Sequence, residues 1–256
     1  MNHEPLLQAA AANLAGWHEC SVRALGFETH ASPWWWTAPS PAPWIYFTAI
    51  GLQRPGSRAE RRTALDELQH HLDDPNGSFE AACESFGALK LDRVGLRLRT
   101  RGRWYARPAS EPAPDPLIKP RPRPERLTVT QASTPDELAE FEQATCAAFG
   151  APAPLATFDI HGRDILDDPA MHVLIGREGD GPVVAGAMAY VDPAVVGLYG
   201  VGTVPGHRGR GYATALTTAG LALAPDRPAV LQPSAKAAGL YRRLGFVDVG
   251  PFSHWG

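Results

Sequence analysis

The chain has 256 residues, a length that suits one large domain or two small ones. Apolar residues make up 44% of the sequence and charged residues 20%, which provides for a packed core and excludes a wholly disordered chain. The net charge of −3 argues against a surface for nucleic acids or acidic membranes.

Cysteine usage and hydropathy exclude further classes of protein. Cys20, Cys83 and Cys146 are odd in number and widely spaced, which favours idle thiols over a disulfide framework or a metal site. No apolar run approaches the length of about 18 residues that a membrane span needs, and the N-terminus lacks the pattern of a secretion signal. We therefore expect a cytoplasmic protein without a bound metal.

The first part of the chain predicts a mixture of helices and strands. Residues 5–25 are rich in Ala and Leu and predict a helix, and the apolar run 44–50 predicts a buried strand. Ser57 and Glu60 have the spacing of a capping box that begins a second helix. Alternating apolar residues over 91–105 predict one or two more strands. For four tryptophans we consider two positions: packing in an aromatic core, which is the commoner one, or lining a cleft between the halves. They are Trp34, Trp35, Trp36 and Trp44.

Residues 108–126 divide the chain. This stretch contains seven prolines, which fix φ and favour an extended, stiff spacer. We interpret residues 1–107 as an N-terminal domain, 108–126 as a linker and 127–256 as a C-terminal domain.

The second half predicts an alternating α/β order. Strand 127–131 leads into a helix with strong start signals, since Thr134 can cap it, Pro135 suits its first position and Glu137 completes a capping box. Gly150 should end that helix. The remaining elements are strands at 171–176, 183–191 and 198–204, a helix at 209–224, a strand at 229–232, a helix at 235–244 and a strand at 246–252. This order predicts a mixed sheet with a central antiparallel meander.

The loop before the helix at 209–224 carries the strongest functional signal. The first amides of a helix lack intrahelical partners and lie at the positive end of its dipole. Gly209 and Gly211 leave room for close approach by a phosphate, and Arg208 and Arg210 add guanidinium donors. A glycine loop alone is also consistent with an ordinary turn, so this motif by itself leaves phosphate binding open.

A second motif follows about thirty residues later. Residues 231–246 read as a strand, a turn, a short helix and a final strand, with Ser234 as the expected N-cap and Gly245 as the residue that ends the helix. Tyr241 lies one turn before the end of this helix, where the ordinary fate of a tyrosine is packing in the core.

Together these motifs resemble the GNAT superfamily of acetyltransferases. Arg208-Gly-Arg-Gly-Tyr-Ala213 is similar to the family's Arg/Gln-x-x-Gly-x-Gly/Ala pyrophosphate loop. The run from Ser234 to Phe246 is similar to Asn-x-x-Ala-x-x-Leu-Tyr-x-x-x-Gly-Phe, with Ser234 where Asn is commoner. The resemblance covers about 127–256 and implies a GNAT fold there. Residues 1–107 look like a degenerate copy or, alternatively, an unrelated small α+β domain, and without such a loop they should not bind coenzyme A.

The resemblance implies a site for acetyl-CoA as cosubstrate. Its pyrophosphate would lie on the amides of 208–213, and its pantetheine arm would pair with strand 198–204. Glycines 200 and 202 predict a bulge that opens this strand, and an amide near Thr203 or Val204 would bind the acetyl oxygen. The implied cofactor contacts are Val201, Thr203, Val204, Arg208, Gly209, Arg210, Gly211, Tyr212, Ala213 and Ser234.

The implied reaction is N-acetylation of a primary amine of a small molecule or peptide. The amine attacks the thioester, a tetrahedral intermediate forms, and Tyr241 protonates the leaving sulfur. The general base stays open among Asp192, a water near Tyr190, His161 and His172, and desolvation of the amine can make a base unnecessary. Because strand 183–191 contains no Glu, a non-catalytic acyl-CoA-binding regulatory module is the alternative.

Overall fold

A computed structural model describes residues 3–38, 46–74, 81–109, 127–151 and 160–256. The predicted linker lies almost wholly outside these residues, as does Trp44. The helices are α1 (Glu4–Ala24), α2 (Arg58–Leu72), α3 (Pro135–Phe149), α4 (Tyr212–Leu221) and α5 (Ala238–Arg243). Single turns of 3-10 helix lie at Leu91–Val94, Arg163–Asp167 and Pro205–His207.

The described strands form one mixed sheet. The strands of the first part are β1 (His30–Ala31), β2 (Trp35–Thr37), β3 (Ala49–Gly51), β4 (Ala82–Glu84) and β5 (Leu98–Arg107). Those of the second part are β6 (Leu127–Gln131), β7 (Met171–Glu178), β8 (Val183–Val191), β9 (Val196–Thr203), β10 (Ala229–Leu231) and β11 (Val247–Trp255). Their order across the sheet is β1-β2-β3-β4-β11-β5-β10-β9-β8-β7-β6.

The sheet contains the antiparallel meander that the sequence predicts. It also contains a connection between the two halves of the chain that the sequence does not predict. β6, β7, β8 and β9 are antiparallel neighbours, and β10 runs parallel to β9. β5, which precedes the proline-rich stretch, lies between β10 and β11 and is antiparallel to both. β11 also pairs with β4, so backbone hydrogen bonding continues from one half of the chain into the other.

Helices cover both faces of the sheet. Because neighbouring residues of a strand point to opposite faces, Met188 and Ala189 mark the two sides of β8. Met188 packs in the cluster that contains Trp17 of α1 and Phe141 of α3, whereas Ala189 packs in a cluster with Tyr241 of α5. α1 therefore shares one face of the second-half sheet with α3, and α5 lies on the other.

Most predicted helix starts are confirmed. Ser57 and Glu60 form a complete capping box at α2, and Thr134 and Glu137 form another at α3. Gly150 ends α3 with a φ of 70°, in the left-handed region that favours glycine.

Several predicted boundaries are wrong. Residues 91–94 form a 3-10 turn rather than a strand, because the left-handed Gly95 turns the chain before β5 begins. Of the predicted strand 44–50, the first two positions lie outside the described residues, and of 46–50 only Ala49 and Ile50 belong to β3. α4 is shorter than the predicted helix 209–224, since Gly209 and Gly211 both have positive φ and keep the loop outside the helix.

The tryptophans of the first part pack in the core where the structure describes them. Trp35 and Trp36 are each 2% exposed, and the Trp35 indole donates to the carbonyl of Ala64 at 2.7 Å. Trp34 packs against the same cluster as Trp35. The core interpretation therefore holds for these three residues.

Among the described residues, no helix is both long and apolar enough to span a membrane.

Candidate active site

A bulge interrupts the pairing of β8 with β9. The register shifts between Gly186 and Met188, so Gly200 and Val201 of β9 share a single opposing residue on β8. Gly200 has a φ of 59°, which a residue with a side chain rarely adopts. The bulge predicted from the strand glycines is confirmed.

β9 also separates from β10. The parallel ladder joins Val196 to Ala229 and Gly197 to Val230, and it ends there although β9 continues to Thr203. The edge of residues 198–203 therefore faces an opening instead of β10. An extended ligand can pair with such an edge as an added strand.

The two amides expected to bind an acyl oxygen are not equivalent. The Val204 amide donates to the carbonyl of Val184 at 3.0 Å and is therefore already engaged. Thr203 lies opposite Ala185, and successive residues of an antiparallel pair direct their amides alternately toward and away from the partner strand. The Thr203 amide thus points away from β8, toward the opening.

The loop that follows β9 leaves the start of α4 uncapped by any side chain. Gly209 and Gly211 have φ of 78° and 88°, and Gly211 is the N-cap of α4. The first intrahelical bond joins the amide of Ala215 to the carbonyl of Gly211 at 3.0 Å. The amides of Tyr212, Ala213 and Thr214 precede that bond, so they have no carbonyl one turn behind them and suit an anion.

The two arginines of this loop bind protein acceptors. Arg208 donates through Nη2 to the carbonyl of Ala148 at 2.6 Å and through Nε to that of Thr203 at 3.1 Å. Arg210 donates through Nη1 to Glu178 at 2.7 Å and keeps half of its side chain exposed. Their forks hold the loop against α3 and β7, and their contact with phosphate stays a prediction.

Glu178, the last residue of β7, joins the loop to the sheet. Its Oε1 accepts hydrogen bonds from the Tyr212 hydroxyl and from Arg210, and it lies 3.0 Å from Nδ1 of His207. Hydrogen bonding to Tyr212 and His207, together with the charge of Arg210, lowers the pKa of Glu178 to about 2. Glu178 is distant in sequence from its partners, so no local motif indicated it.

Tyr241 lies where β9 and β10 part. It packs in a cluster with Leu198 of β9 and Leu231 of β10, the first residues of each strand beyond their shared ladder. Burial is the largest influence on its hydroxyl and raises the pKa of Tyr241 to about 12, while a hydrogen bond with Thr217 opposes that shift. The hydroxyl is therefore protonated at neutral pH.

Ser234 was expected to be the N-cap of α5, and this expectation is wrong. The helix begins at Ala238 with Ala237 as its N-cap, because the Ser234 hydroxyl instead accepts the Ala237 amide at 3.3 Å and closes the turn before the helix. Gly245 ends the segment with a φ of 85°, as predicted. A contact between Ser234 and a cofactor stays a prediction.

A cavity of about 440 Å³ borders the bulge at Gly200. Trp17 and Phe47 of the first half line it together with Phe141 and Met188 of the second half. His161 and His254 complete its polar edge. Since Met188 and Tyr241 lie on opposite faces of the sheet, the cavity and Tyr241 flank the opening of β9 from two sides.

The candidates for a general base occupy different places. Among the described residues that line the cavity, His161 is the one that the sequence suggested; its Nδ1 contacts the Tyr46 hydroxyl, and burial lowers the pKa of His161 to about 3. Asp192 accepts the amides of Ala194 and Val195 and so stabilises the β8–β9 turn.

The other two candidates lie outside the cavity. His172 is half-buried, and its Nδ1 lies 3.0 Å from Oε1 of Gln131. Tyr190 lines a separate hollow with Gly16 of α1.

Sequence reasoning missed Trp17, Phe47 and His254 in the cavity. They come from α1, the segment before β3 and the end of β11, and only the sheet connection through β5 brings them together. Their spacing carries no motif.

Comparison with known proteins is consistent with this geometry. Residues 138–246 match the model of the acetyltransferase (GNAT) family. A comparison with curated protein sequences gives no match. A solved GCN5-related N-acetyltransferase from Kribbella flavida has 20% identity and a TM-score of 0.60, with 94% of each chain covered.

Two further solved structures share the fold. A tandem GNAT protein from the clavulanic acid biosynthesis pathway has 16% identity and a TM-score of 0.58, with 86% of this chain and 77% of that chain covered. A GCN5-related N-acetyltransferase from Sphaerobacter thermophilus has 18% identity and a TM-score of 0.52, with coverages of 77% and 65%.

The family match and the open strand are consistent with an acyltransferase-type protein. Residues 138–246, less than half of the chain, match the GNAT acetyltransferase family, and the chain has the fold of solved GNAT proteins. Family and fold support acyl transfer as the general activity.

Proposed function

We propose that the protein transfers an acetyl group from acetyl-CoA to the primary amine of a small molecule or a peptide. One observation carries this proposal: β9 opens from β10 between the uncapped start of α4 and the buried hydroxyl of Tyr241. A thioester cosubstrate needs an anion site, a strand edge and a proton donor in that arrangement.

Acetyl-CoA fits the donors that the chain offers. A diphosphate requires several converging N–H groups, each contributing about 0.3–1 kcal/mol at an exposed helix start and up to ~2 kcal/mol when partly buried. The loop and first turn over 209–213 would hold the diphosphate, and Val201 and Thr203 would pair with the pantetheine arm. Bound acetyl-CoA supplies an acyl group activated toward attack by an amine.

The residues around the opening suit the steps of acetyl transfer. The Thr203 amide would stabilise the negative charge that develops on the acyl oxygen. The apolar cavity would hold the amine neutral by desolvation, so that its nitrogen forms the new C–N bond. The C–S bond then breaks, the sulfur takes a proton from Tyr241, and the amine proton passes to water, because burial makes His161 a weak base.

Thiol release from acetyl-CoA in the presence of amines tests the function, and Tyr241→Phe tests the proton donor. We expect this variant to slow the chemical step in single-turnover assays by about 10²-fold, a typical effect of losing a general acid. Acetyl-CoA affinity should stay close to that of the wild type, because the anion site is unchanged.

Tyr105→Phe is the matched control. Tyr105 is buried in the same cluster as Tyr241. Its hydroxyl accepts hydrogen bonds from Arg242 and therefore has a structural role. Equal single-turnover rates in wild type and Tyr241→Phe would contradict the acid role. Tight acetyl-CoA binding without thiol release from any amine would instead support the non-catalytic alternative.

A further inference from the structure

The cavity beside Gly200 has an apolar wall without formal charge on the described residues that line it. Its larger side chains are Trp17, Phe47, Phe141, Phe149 and Met188. Burial lowers the pKa of His161 to about 3 and that of His254 to about 4, so both imidazoles are neutral at pH 7. A second cation or a carboxylate on a ligand would therefore find no opposite charge on these walls.

Two polar atoms of the lining residues are buried without a hydrogen-bond partner among the described residues. They are Nε1 of Trp17 and Nε2 of His254. Trp17 as a whole is only 7% exposed. Leaving such groups unpaired is unfavourable, because folding removes them from water. Neither atom is accessible from solvent, so neither offers a ligand a hydrogen bond, and the cavity wall is apolar at these two residues.

The same two side chains are held by ring contacts. The Trp17 indole stacks on Tyr199 with centroids 4.7 Å apart, and His254 stacks on Phe252 at the same separation. The ring centroids of Phe47 and His254 are 4.6 Å apart, so Phe47 completes the aromatic wall. A rigid aromatic wall favours a flat or extended apolar body over a heavily hydrated one.

We infer that the acceptor is a primary amine on an uncharged aromatic or aliphatic body. This inference rests on the proposed function, and it goes further in making the first half of the chain part of the acceptor site. Substrates with a second cation or a carboxylate are disfavoured, because none of the described residues that line the cavity carries a partner charge.

Matched pairs of amines test the inference. Calorimetry without acetyl-CoA, at mildly alkaline pH, should show hexylamine binding about tenfold tighter than 1,6-diaminohexane, because the second ammonium would be buried unpaired. The same ratio is expected for 2-phenylethylamine over phenylalanine, which adds only a carboxylate. Equal affinities within either pair would overturn the inference.

A charge placed at the cavity supplies the reciprocal test. Phe149 is 58% exposed, so Phe149→Asp should leave the fold intact. We expect this variant to bind 1,6-diaminohexane about fivefold tighter than the wild type does, because it supplies a partner charge. Phe149→Lys is the matched control and should give no gain for the diamine; an equal gain in both variants would overturn the inference.

Failure of this inference and failure of the proposed function are distinguishable. Selective binding of uncharged-body amines by a protein that does not bind acetyl-CoA would contradict the function and retain the pocket. Thiol release with 1,6-diaminohexane or phenylalanine as efficient as with their partners would retain the function and contradict the pocket.

Discussion

The chain contains two strand-to-helix junctions of the same design, one in each half. β9 leads through a glycine loop into α4 beside the parallel strand β10, and β3 leads through 52–57 into α2 beside the parallel strand β4. At α2, the Ser57 hydroxyl accepts the amide of Glu60 at 3.1 Å, and the Glu60 carboxylate accepts the amides of Gly56 and Ser57. At α4, no side chain forms a capping hydrogen bond of this kind.

In our proposal, this difference makes the second junction a ligand site and leaves the first a structural joint. In the first half, a carboxylate of the chain already occupies the position that an anion would take at the helix start. In the second half, Gly211 as N-cap leaves the amides to a ligand. The first junction thus stabilises its own helix, whereas in our proposal a bound anion supplies the equivalent bonds at the second.

Gly211→Glu should have the largest effect on this contrast. The substitution places a side chain at a φ of 88° and an acidic group at the uncapped helix start, as in the first half. We expect acetyl-CoA affinity measured by calorimetry to fall by about 10²-fold, as expected when most of a multi-donor anion site is lost. Gly95→Glu, at a φ of 83° away from the site, is the control for strain and should retain affinity. Retained affinity in Gly211→Glu would refute the anion site.

Glu178→Gln should have a smaller effect. The change removes the charge that holds Arg210 and Tyr212 but keeps the shape of the side chain, so the loop should loosen without closing. We expect the KM for acetyl-CoA to rise about fivefold with kcat nearly unchanged, since uniform binding is lost. A fall in kcat at constant KM would show that Glu178 acts on the chemical step instead.

The same carboxylate predicts an acid dependence. Its pKa is depressed in the folded protein, so its contribution to stability is complete above the ordinary value of 4.5 and is lost as the pH falls toward about 2. Within that window the thermal stability of the wild type should fall more steeply with decreasing pH than that of Glu178→Gln. Parallel curves would mean that the carboxylate does not stabilise the loop.

Ser57→Ala should have the smallest effect on function. Loss of the cap is expected to reduce the free energy of unfolding by about 1 kcal/mol, measured by urea denaturation. Acetyl-CoA turnover should stay unchanged, because this junction binds no cosubstrate in our proposal. A parallel loss of acetyl-CoA affinity would mean that the first-half junction also takes part in binding.

Local patterns predicted the parts of the site that are local in sequence. The glycines of 200–211 indicated both the bulge and the uncapped helix start, because backbone conformation there depends on residues within one turn. The resemblance to the GNAT motif pointed to Tyr241, and its catalytic role stays a prediction. The contact of Arg208 with Ala148 was not predictable, since the two residues are 60 positions apart in sequence.

The cavity was beyond local patterns for a further reason. Trp17 and His254 meet only because β5 and β11 carry the sheet across both halves, and strand order depends on the competition among all edges of the sheet. The tandem division of the chain was read from the prolines alone. That division stays a prediction, whereas the hydrogen bonds that cross it belong to the described fold.

The position of β5 determines what happens when the chain is cut. A protease that cleaves within the proline-rich stretch would leave two fragments with β5 still inserted between β10 and β11. Withdrawing the first fragment would break ladders on both sides of that strand and expose two raw edges prone to aggregation. The nicked protein should therefore elute from a sizing column as one particle, and a C-terminal fragment made alone should be rescued only by supplying its missing strand.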